Sequence, residues 1–375
     1  MKRLLILGLA GLAFVFNLVN MSGLGSAYNT EFYTRLLTIM LSVVLMFRHN
    51  IRVYKVDRDL LLWGTMTVVV FFFSALLRGS ISDAFNCLSC FFITYIFSEY
   101  GLDEWSFRWM GRMLLFGSFS LLLIFLKTNA LSGWNENGIA MICFFAYICY
   151  IASVMYSARG RERLAAIGAS IAFLYLVSET DARSSMLATL IALVVLLFPR
   201  KLGAFFATRR TRQILFHTAL IFAAFIATMS LTSVYTDWDI WSYQTFGKPL
   251  MNGREVAWRQ GFQQLWAHAL FGRGNFKINS WHNWGMSLLT GYGVLGYVTW
   301  TTFVRRVLDK GQRHIRDPYI LGIITSFLLI LLQQSAELGL IGNANTHLLP
   351  YMMLGLLLGR VRILERRETR KLHAN

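Results

Sequence analysis

Charge is scarce in this chain. Only 15% of its 375 residues are Asp, Glu, Lys or Arg, where a soluble domain carries about 25%. That shortage excludes a disordered segment, which needs many charges and few apolar residues. It also excludes a coiled coil and an ordinary soluble enzyme. Cysteine is scarce as well, with four residues, so a small disulfide-stapled secreted domain is excluded. Proline is limited to four, which leaves long stretches without a helix breaker. What is abundant is apolar surface: 56% of residues are hydrophobic and 30 are Phe. Lipid, rather than water, is the solvent such a composition suits.

A membrane-spanning helix needs about 20 mostly apolar residues. In lipid every backbone group must find its partner within the chain, so long apolar runs mean helices. Twelve such runs are legible: 4–20, 32–48, 60–77, 84–99, 112–128, 139–157, 164–180, 185–200, 213–231, 284–303, 319–335 and 348–361. The expected fold is therefore all-α: a polytopic membrane protein of about 12 transmembrane helices, with residues 1–375 forming one integral membrane domain. Several runs are short, so their helices must extend into the flanks or cross with little tilt. Residues 1–26 also have the layout of a signal peptide, with a basic start and small residues from Gly23 to Ala27. They are read as a retained first helix.

Basic residues orient the bundle. Twelve spans put both termini on one side. That side holds 27 of the 36 Lys and Arg and ten of the 19 acids; the other holds nine of each. The formal net charge of +17 thus lies wholly on the side of the termini, which is expected to be cytoplasmic. The basic runs, such as Arg209-Arg210-Thr211-Arg212, close spans. They point to anionic membrane lipids as partners, and not to nucleic acid.

The outer loops are short turns with one exception. Residues 232–283, between the ninth and tenth spans, form a long loop with five Trp; long ordered loops are usually functional. Part of it reads as a helix. Asn252 is placed to cap it, with Glu255 three residues on as a capping box. Trp258, Phe262, Leu265, Trp266 and Ala269 make an apolar stripe at helical spacing, and Gly272 can terminate it. Such a helix would lie on the membrane surface or over the bundle.

Cys87, Cys90, Cys143 and Cys149 all fall in spans, with no His near them in sequence. They read as small apolar side chains; neither a metal site nor a disulfide is expected. Asp57-Arg58-Asp59 has the D-x-D pattern that holds a metal and a nucleotide sugar in many cytosolic glycosyltransferases. Here it sits in a loop of about a dozen residues with no soluble domain around it, and reads as the charged flank of a span. The outer ionisable residues are more informative. Arg183 occupies the tight turn between spans seven and eight, where pairing with Asp181 is one reading. Arg254 opens the loop helix, where the dipole disfavours a cation but would favour an anion shared with the amides. His282-Asn283 stands where the loop enters span ten.

These positions carry a resemblance. Arg183-Ser184-Ser185-Met186-Leu187 matches an R-x-x-x-L pattern, and residues 282–296 match H-[NSQ], nine residues, then G-x-x-[GTY], through His282, Asn283, Gly293 and Gly296. Both patterns belong to the bacterial O-antigen ligases. Asn252-Gly253-Arg254-Glu255 with Trp258, followed by His268-Ala269-Leu270-Phe271-Gly272-Arg273-Gly274, resembles the wider ligase and polymerase superfamily. There the loop often reads G-R…W…H-P-L-x-G-x-G, so Ala269 stands where Pro is common and the helix is free to continue.

The resemblance implies an inner-membrane glycosyltransferase acting on the periplasmic face. It would move a preassembled glycan from undecaprenyl diphosphate to a sugar hydroxyl of the lipid A core, with no nucleotide sugar, metal or cofactor. Arg183 and Arg254 would clamp the leaving diphosphate, because a guanidinium offers phosphate a charged, bidentate fork. An imidazole suits a general base near neutral pH, which would be the task of His282. Asn283, Arg259 and Trp281 are the expected substrate-binding residues. Gly293 and Gly296, within span ten, would allow close helix approach. A single displacement implies inversion at the anomeric carbon. Two other readings remain: a polymerase of the same superfamily, and a twelve-span transporter. The transporter should show two related halves and a midplane site, and no half-repeat is visible in the sequence.

Overall fold

The computed structural model describes residues 2–21, 30–48, 58–78, 81–100, 103–128, 135–180, 182–272, 282–337, 340 and 348–374. Among them every regular element is helical. In chain order these are α1 (Lys2–Met21), α2 (Thr30–Arg48), α3 (Arg58–Arg78), α4 (Ile81–Tyr100), α5 (Glu104–Lys127), α6 (Glu136–Val154), α7 (Gly160–Ser178), α8 (Arg183–Leu197), α9 (Pro199–Ala207), α10 (Arg209–Met229), α11 (Ser233–Phe246), α12 (Arg254–Leu265), α13 (Trp284–Gln312), α14 (Pro318–Gln333) and α15 (Leu348–Ala374). A 3-10 turn, Trp266–His268, follows α12.

Each of the twelve apolar runs falls on a helix, and several helices extend into the flanks as their short cores require. Three helices, α5, α6 and α10, are long and apolar enough to cross a membrane, and α8 with α9 would count as a fourth if taken as one broken span. Among the described residues the apolar stretches of α1 to α4 and of α14 are shorter. The sequence ends helices with readable chemistry. Asp103, Asn135, Thr208, Thr232 and Asp317 each accept a backbone N–H of the following first turn, which satisfies donors a helix start leaves orphaned.

The helix α6 is apolar all round and buried along almost its whole length, as a central helix must be. It packs on α5, α14, α7 and α1. Gly322 of α14 approaches so closely that a Cβ there would lie 2.2 Å from the carbonyl oxygen of Ala152. Outside this core, α5 and α10 bury only one face and show large apolar side chains such as Phe116 (75% exposed) and Ile221. An apolar belt of that extent is foreign to a water-soluble monomer and fits a lipid-facing surface.

Three elements depart from the sequence reading. The segment after span eight is not a plain basic loop: Pro199 opens α9, which leaves α8 at 113°. The long loop carries a second helix, α11, ended by Gly247 in the left-handed region (φ 68°). The predicted capping box at Asn252 does not form. The cap of α12 is Gly253 (φ 80°), with no side-chain hydrogen bond, and Asn252 itself is left-handed (φ 54°). The helix also does not run on through Ala269; it tightens at Trp266 and ends before it. Gly272, at φ 63°, closes the turn with its N–H on the His268 carbonyl, as a terminating glycine should.

Charged side chains sort to the two ends of the bundle. At one end Arg108 pairs with Glu162 (2.9 Å), Arg212 with Asp309 (3.2 Å) and Arg360 with Asp317 (2.6 Å). These pairs tie α5, α10 and α15 to their neighbours. At the other end lie Arg183, Arg254, His282 and Glu337.

Candidate functional site

The site is assembled on the start of α13. Asn283 caps that helix: its Oδ1 accepts the Met286 amide at 3.0 Å. Its Nδ2 donates to the carbonyls of Ala219 in α10 and Ser335 beyond α14, both at 2.8 Å. A fully buried Asn with all these bonds is a bolt joining three elements. The segment after α14 is fixed further. The Gln334 carbonyl accepts the Trp284 amide, and Gln333 Nε2 donates to Ser185 Oγ at 3.1 Å. In this structure Asn283 is fully buried, with both its nitrogen and its oxygen engaged in the frame.

Glu337 follows directly on this clamped segment. Its side chain is 8% exposed, and its carboxylate is where the site converges. Arg254 Nη2 donates to Oε1 at 3.0 Å, and Ser184 Oγ donates to the same oxygen at 3.1 Å. His282 Nδ1 lies 3.2 Å from Oε2. Arg254 Nη1 also donates to the Ala336 carbonyl. Four elements thus meet at one carboxylate: the first turns of α8 and α12, and the residues flanking α13 and α14.

Burial by itself would raise the Glu337 carboxyl's affinity for a proton. The hydrogen bond from His282 and the Arg254 charge outweigh it and hold the group below the ordinary carboxyl value. An ionised carboxylate only accepts, so the shared proton belongs on His282 Nδ1. In the neutral imidazole that arrangement leaves the Nε2 lone pair to take a proton from elsewhere. The His282 ring is 35% exposed. Its backbone is left-handed (φ 45°), a conformation a residue with a Cβ holds only when its surroundings impose it.

Arg183 stands beside this cluster, one residue from Ser184. Its Nη2 donates to the Pro249 carbonyl at 3.1 Å. That carbonyl is presented by α11, where Asp239 accepts the Leu250 amide (2.7 Å) and Ser242 donates to the Lys248 carbonyl (3.0 Å). Asp181, the partner weighed for Arg183, lies outside the described residues, as does Trp281. Arg254 has the structural reason for its place that the helix dipole denied it: it neutralises Glu337. A guanidinium has five N–H groups, and these two contacts leave most of them for a ligand. Arg259 stands five residues on in α12, about 140° around the helix, and does not join the cluster. Trp258, one turn after Arg254, is buried against Phe222 with ring centroids 5.6 Å apart.

The glycines of the same segment serve close backbone approach. Gly293 breaks α13 with φ 67° and ψ −170°. The break frees the amides of Val294 and Leu295, which donate to the carbonyls of Ala269 (2.7 Å) and Leu270 (3.2 Å) in the long loop. The Gly291 carbonyl accepts Ser74 Oγ of α3 at 3.0 Å. A Cβ on Gly293 would lie 2.2 Å from the Leu270 oxygen, and one on Gly272 2.5 Å from the backbone of residues 291–293. The stretch 268–272 and the glycines of α13 are therefore one interlocked unit. Gly296 lets Tyr292 stack on Phe71 at 3.6 Å.

Of the sequence candidates, His282 and Arg254 share a partner, Arg183 adjoins it, and Asn283 holds the frame. Glu337 and Ser184 were not anticipated. Glu337 had one signal: the polar run Gln333-Gln334-Ser335-Ala336-Glu337 closing an otherwise apolar span. The four cysteines are free, three of them buried. Asp57 of the D-x-D triplet lies outside the described residues. No family model matches this chain, and no curated protein matches it either.

Proposed function

We propose that this chain is an inner-membrane glycosyltransferase with twelve spans and cytoplasmic termini, acting at its periplasmic face as an O-antigen ligase. Its donor is a glycan on undecaprenyl diphosphate and its acceptor a sugar hydroxyl of the lipid A core. The observation that carries the reading is the carboxylate–imidazole pair of Glu337 and His282, flanked by Arg254 and adjoined by Arg183, at the end of the bundle poorer in basic residues.

In this reading His282 Nε2 accepts the acceptor's hydroxyl proton as that oxygen bonds to the anomeric carbon. The bond from that carbon to the diphosphate oxygen breaks, and undecaprenyl diphosphate leaves with the electron pair. One displacement inverts the anomeric centre. Glu337 keeps the ring in the useful tautomer and stabilises the imidazolium that forms. Arg183 and the free N–H groups of Arg254 meet the charge growing on the diphosphate, where fixed donors act most strongly. The reading calls on no metal and no nucleotide.

The test is transfer in a purified system with defined lipids. Glycan appearing on lipid A core, with undecaprenyl diphosphate released, supports the ligase. Glycan extending a second lipid-linked glycan instead would make the chain a polymerase. No transfer to either acceptor by folded protein would sink both.

A further inference from the structure

The end of the bundle opposite His282 has a site of its own. The helix α8 runs from Arg183 to Leu197, 15 residues or about 22 Å at 1.5 Å each. Where it breaks into α9 there is a partly open cavity of about 930 Å³. Arg159, Arg163, Arg200 and Lys201 line it, and no acidic residue does. At this end Arg108, Arg212 and Arg360 pair with acids. Arg163 instead donates to the carbonyls of Leu196 and Leu197 that end α8. Arg159, Arg200 and Lys201 have no ion-pair partner among the described residues and are exposed. Arg200 and Lys201 stand in the first turn of α9, where the helix dipole disfavours cations. Neither helix stability nor pairing accounts for their gathering.

The walls of the cavity indicate which anion fits. Leu197 and Phe198 line it beside the cations. The helix α9 turns away from α8 at 113° and carries exposed Phe205 next to its Arg and Lys. A short helix lying across a spanning one, with cations and phenylalanine, suits headgroup depth. Basic hollows between membrane helices on the cytoplasmic side hold phosphodiester headgroups.

We infer that this cavity is a binding site for the phosphate of an anionic phospholipid, on the leaflet opposite the His282 site. Nothing in the inference depends on the glycosyltransferase reading; it needs only that the bundle lies in a membrane.

The test uses the full chain in detergent, titrated with phosphatidylglycerol and, separately, with phosphatidylcholine of the same acyl chains. Bound lipid is counted by native mass spectrometry. Phosphatidylglycerol should bind and phosphatidylcholine should not. The double variant Arg200→Ala/Lys201→Ala should bind phosphatidylglycerol about 30-fold more weakly, from the contribution of two surface cations. A control, Arg366→Ala/Arg370→Ala on the exposed end of α15, should bind as wild type does. If the first double variant does not fold, Arg159→Gln, at an exposed residue, takes its place. Equal binding of the two lipids, or wild-type binding by the cavity variants, overturns the inference. So does inorganic phosphate binding there as tightly as phosphatidylglycerol, which would make it a site for a soluble anion.

Discussion

The imidazole of His282 is held by the carboxylate of Glu337 at 3.2 Å, through Nδ1 and not Nε2. That choice of nitrogen decides which atom is left for chemistry. In Glu337→Gln the amide still accepts from Arg254 and Ser184 through its oxygen, but its NH2 then faces Nδ1 and asks it to accept. The proton moves to Nε2 and the base is lost with the frame intact. The expected result is a fall in kcat of about 10²–10⁴ in the folded protein, with donor KM near wild type and only a modest loss of melting temperature. A purely structural Glu337 would give the reverse: altered stability and unchanged kcat in the folded fraction.

His282→Ala removes the base itself. Transfer should fall by about 10²–10⁴, and cells carrying the variant should accumulate lipid-linked glycan. The substitution should also cost some stability, because it takes a hydrogen bond from the buried Glu337 carboxylate, so transfer is compared at equal amounts of folded protein. Normal amounts of glycan on lipopolysaccharide in that variant would refute the catalytic assignment.

The helices were legible because their signal is a run of residues: α6 is apolar throughout, so no alternative competed. The signal for α11 is weaker. Thr232 caps it and Gly247 ends it, but its aromatic and polar residues follow no clear stripe. The break in α13 could not be read, since apolar residues continue through Gly293 and only its φ marks the stop. Glu337 was hidden differently. A carboxylate's role depends on what folding brings to it, and Arg254 and His282 lie 83 and 55 residues away in sequence. Arg254 sits where the helix dipole disfavours a cation, and the Glu337 carboxylate that explains its place is invisible until the chain folds.

The two arginines differ in what a lysine would cost. Arg254 bridges the Ala336 carbonyl and Glu337 with separate nitrogens, a fork that one ammonium cannot reproduce. Arg254→Lys should lower both stability and transfer. Arg183 makes one described hydrogen bond, to Pro249, so Arg183→Lys should keep the melting temperature and lose transfer, mainly as a raised donor KM. Measuring melting and kinetics on both separates the roles. If both lysine variants transfer normally, neither guanidinium holds the diphosphate.

Acid should dissolve the cluster in a defined direction. The Glu337 carboxyl is held below its ordinary value of 4.5. A group whose folded value is depressed contributes stability that is complete above the unfolded value and fades as pH falls through the folded one. The melting difference between wild type and Glu337→Gln should therefore be flat from about pH 5 to 8 and shrink below about pH 4.5. A difference that instead grew on acidification would mean the carboxyl is protonated when buried.

One substitution at two glycines should act with opposite sign. Gly168, inside α7, has nothing within 4 Å of where its Cβ would stand. Alanine there only restricts the unfolded chain, and should be neutral or stabilise by up to about 1 kcal/mol. At Gly293 the same Cβ would lie 2.2 Å from the Leu270 carbonyl oxygen and 2.6 Å from the Phe271 nitrogen. Both are backbone and cannot swing aside, and φ 67° with ψ −170° is a region essentially closed to residues with a Cβ. Gly293→Ala must therefore push the 269–272 stretch off α13 and undo the bonds from Val294 and Leu295. A clearly lower melting temperature, with hydrogen exchange rising at both segments together, is the expected reading. Exchange rising in α13 alone would mean that loop and helix are not one unit.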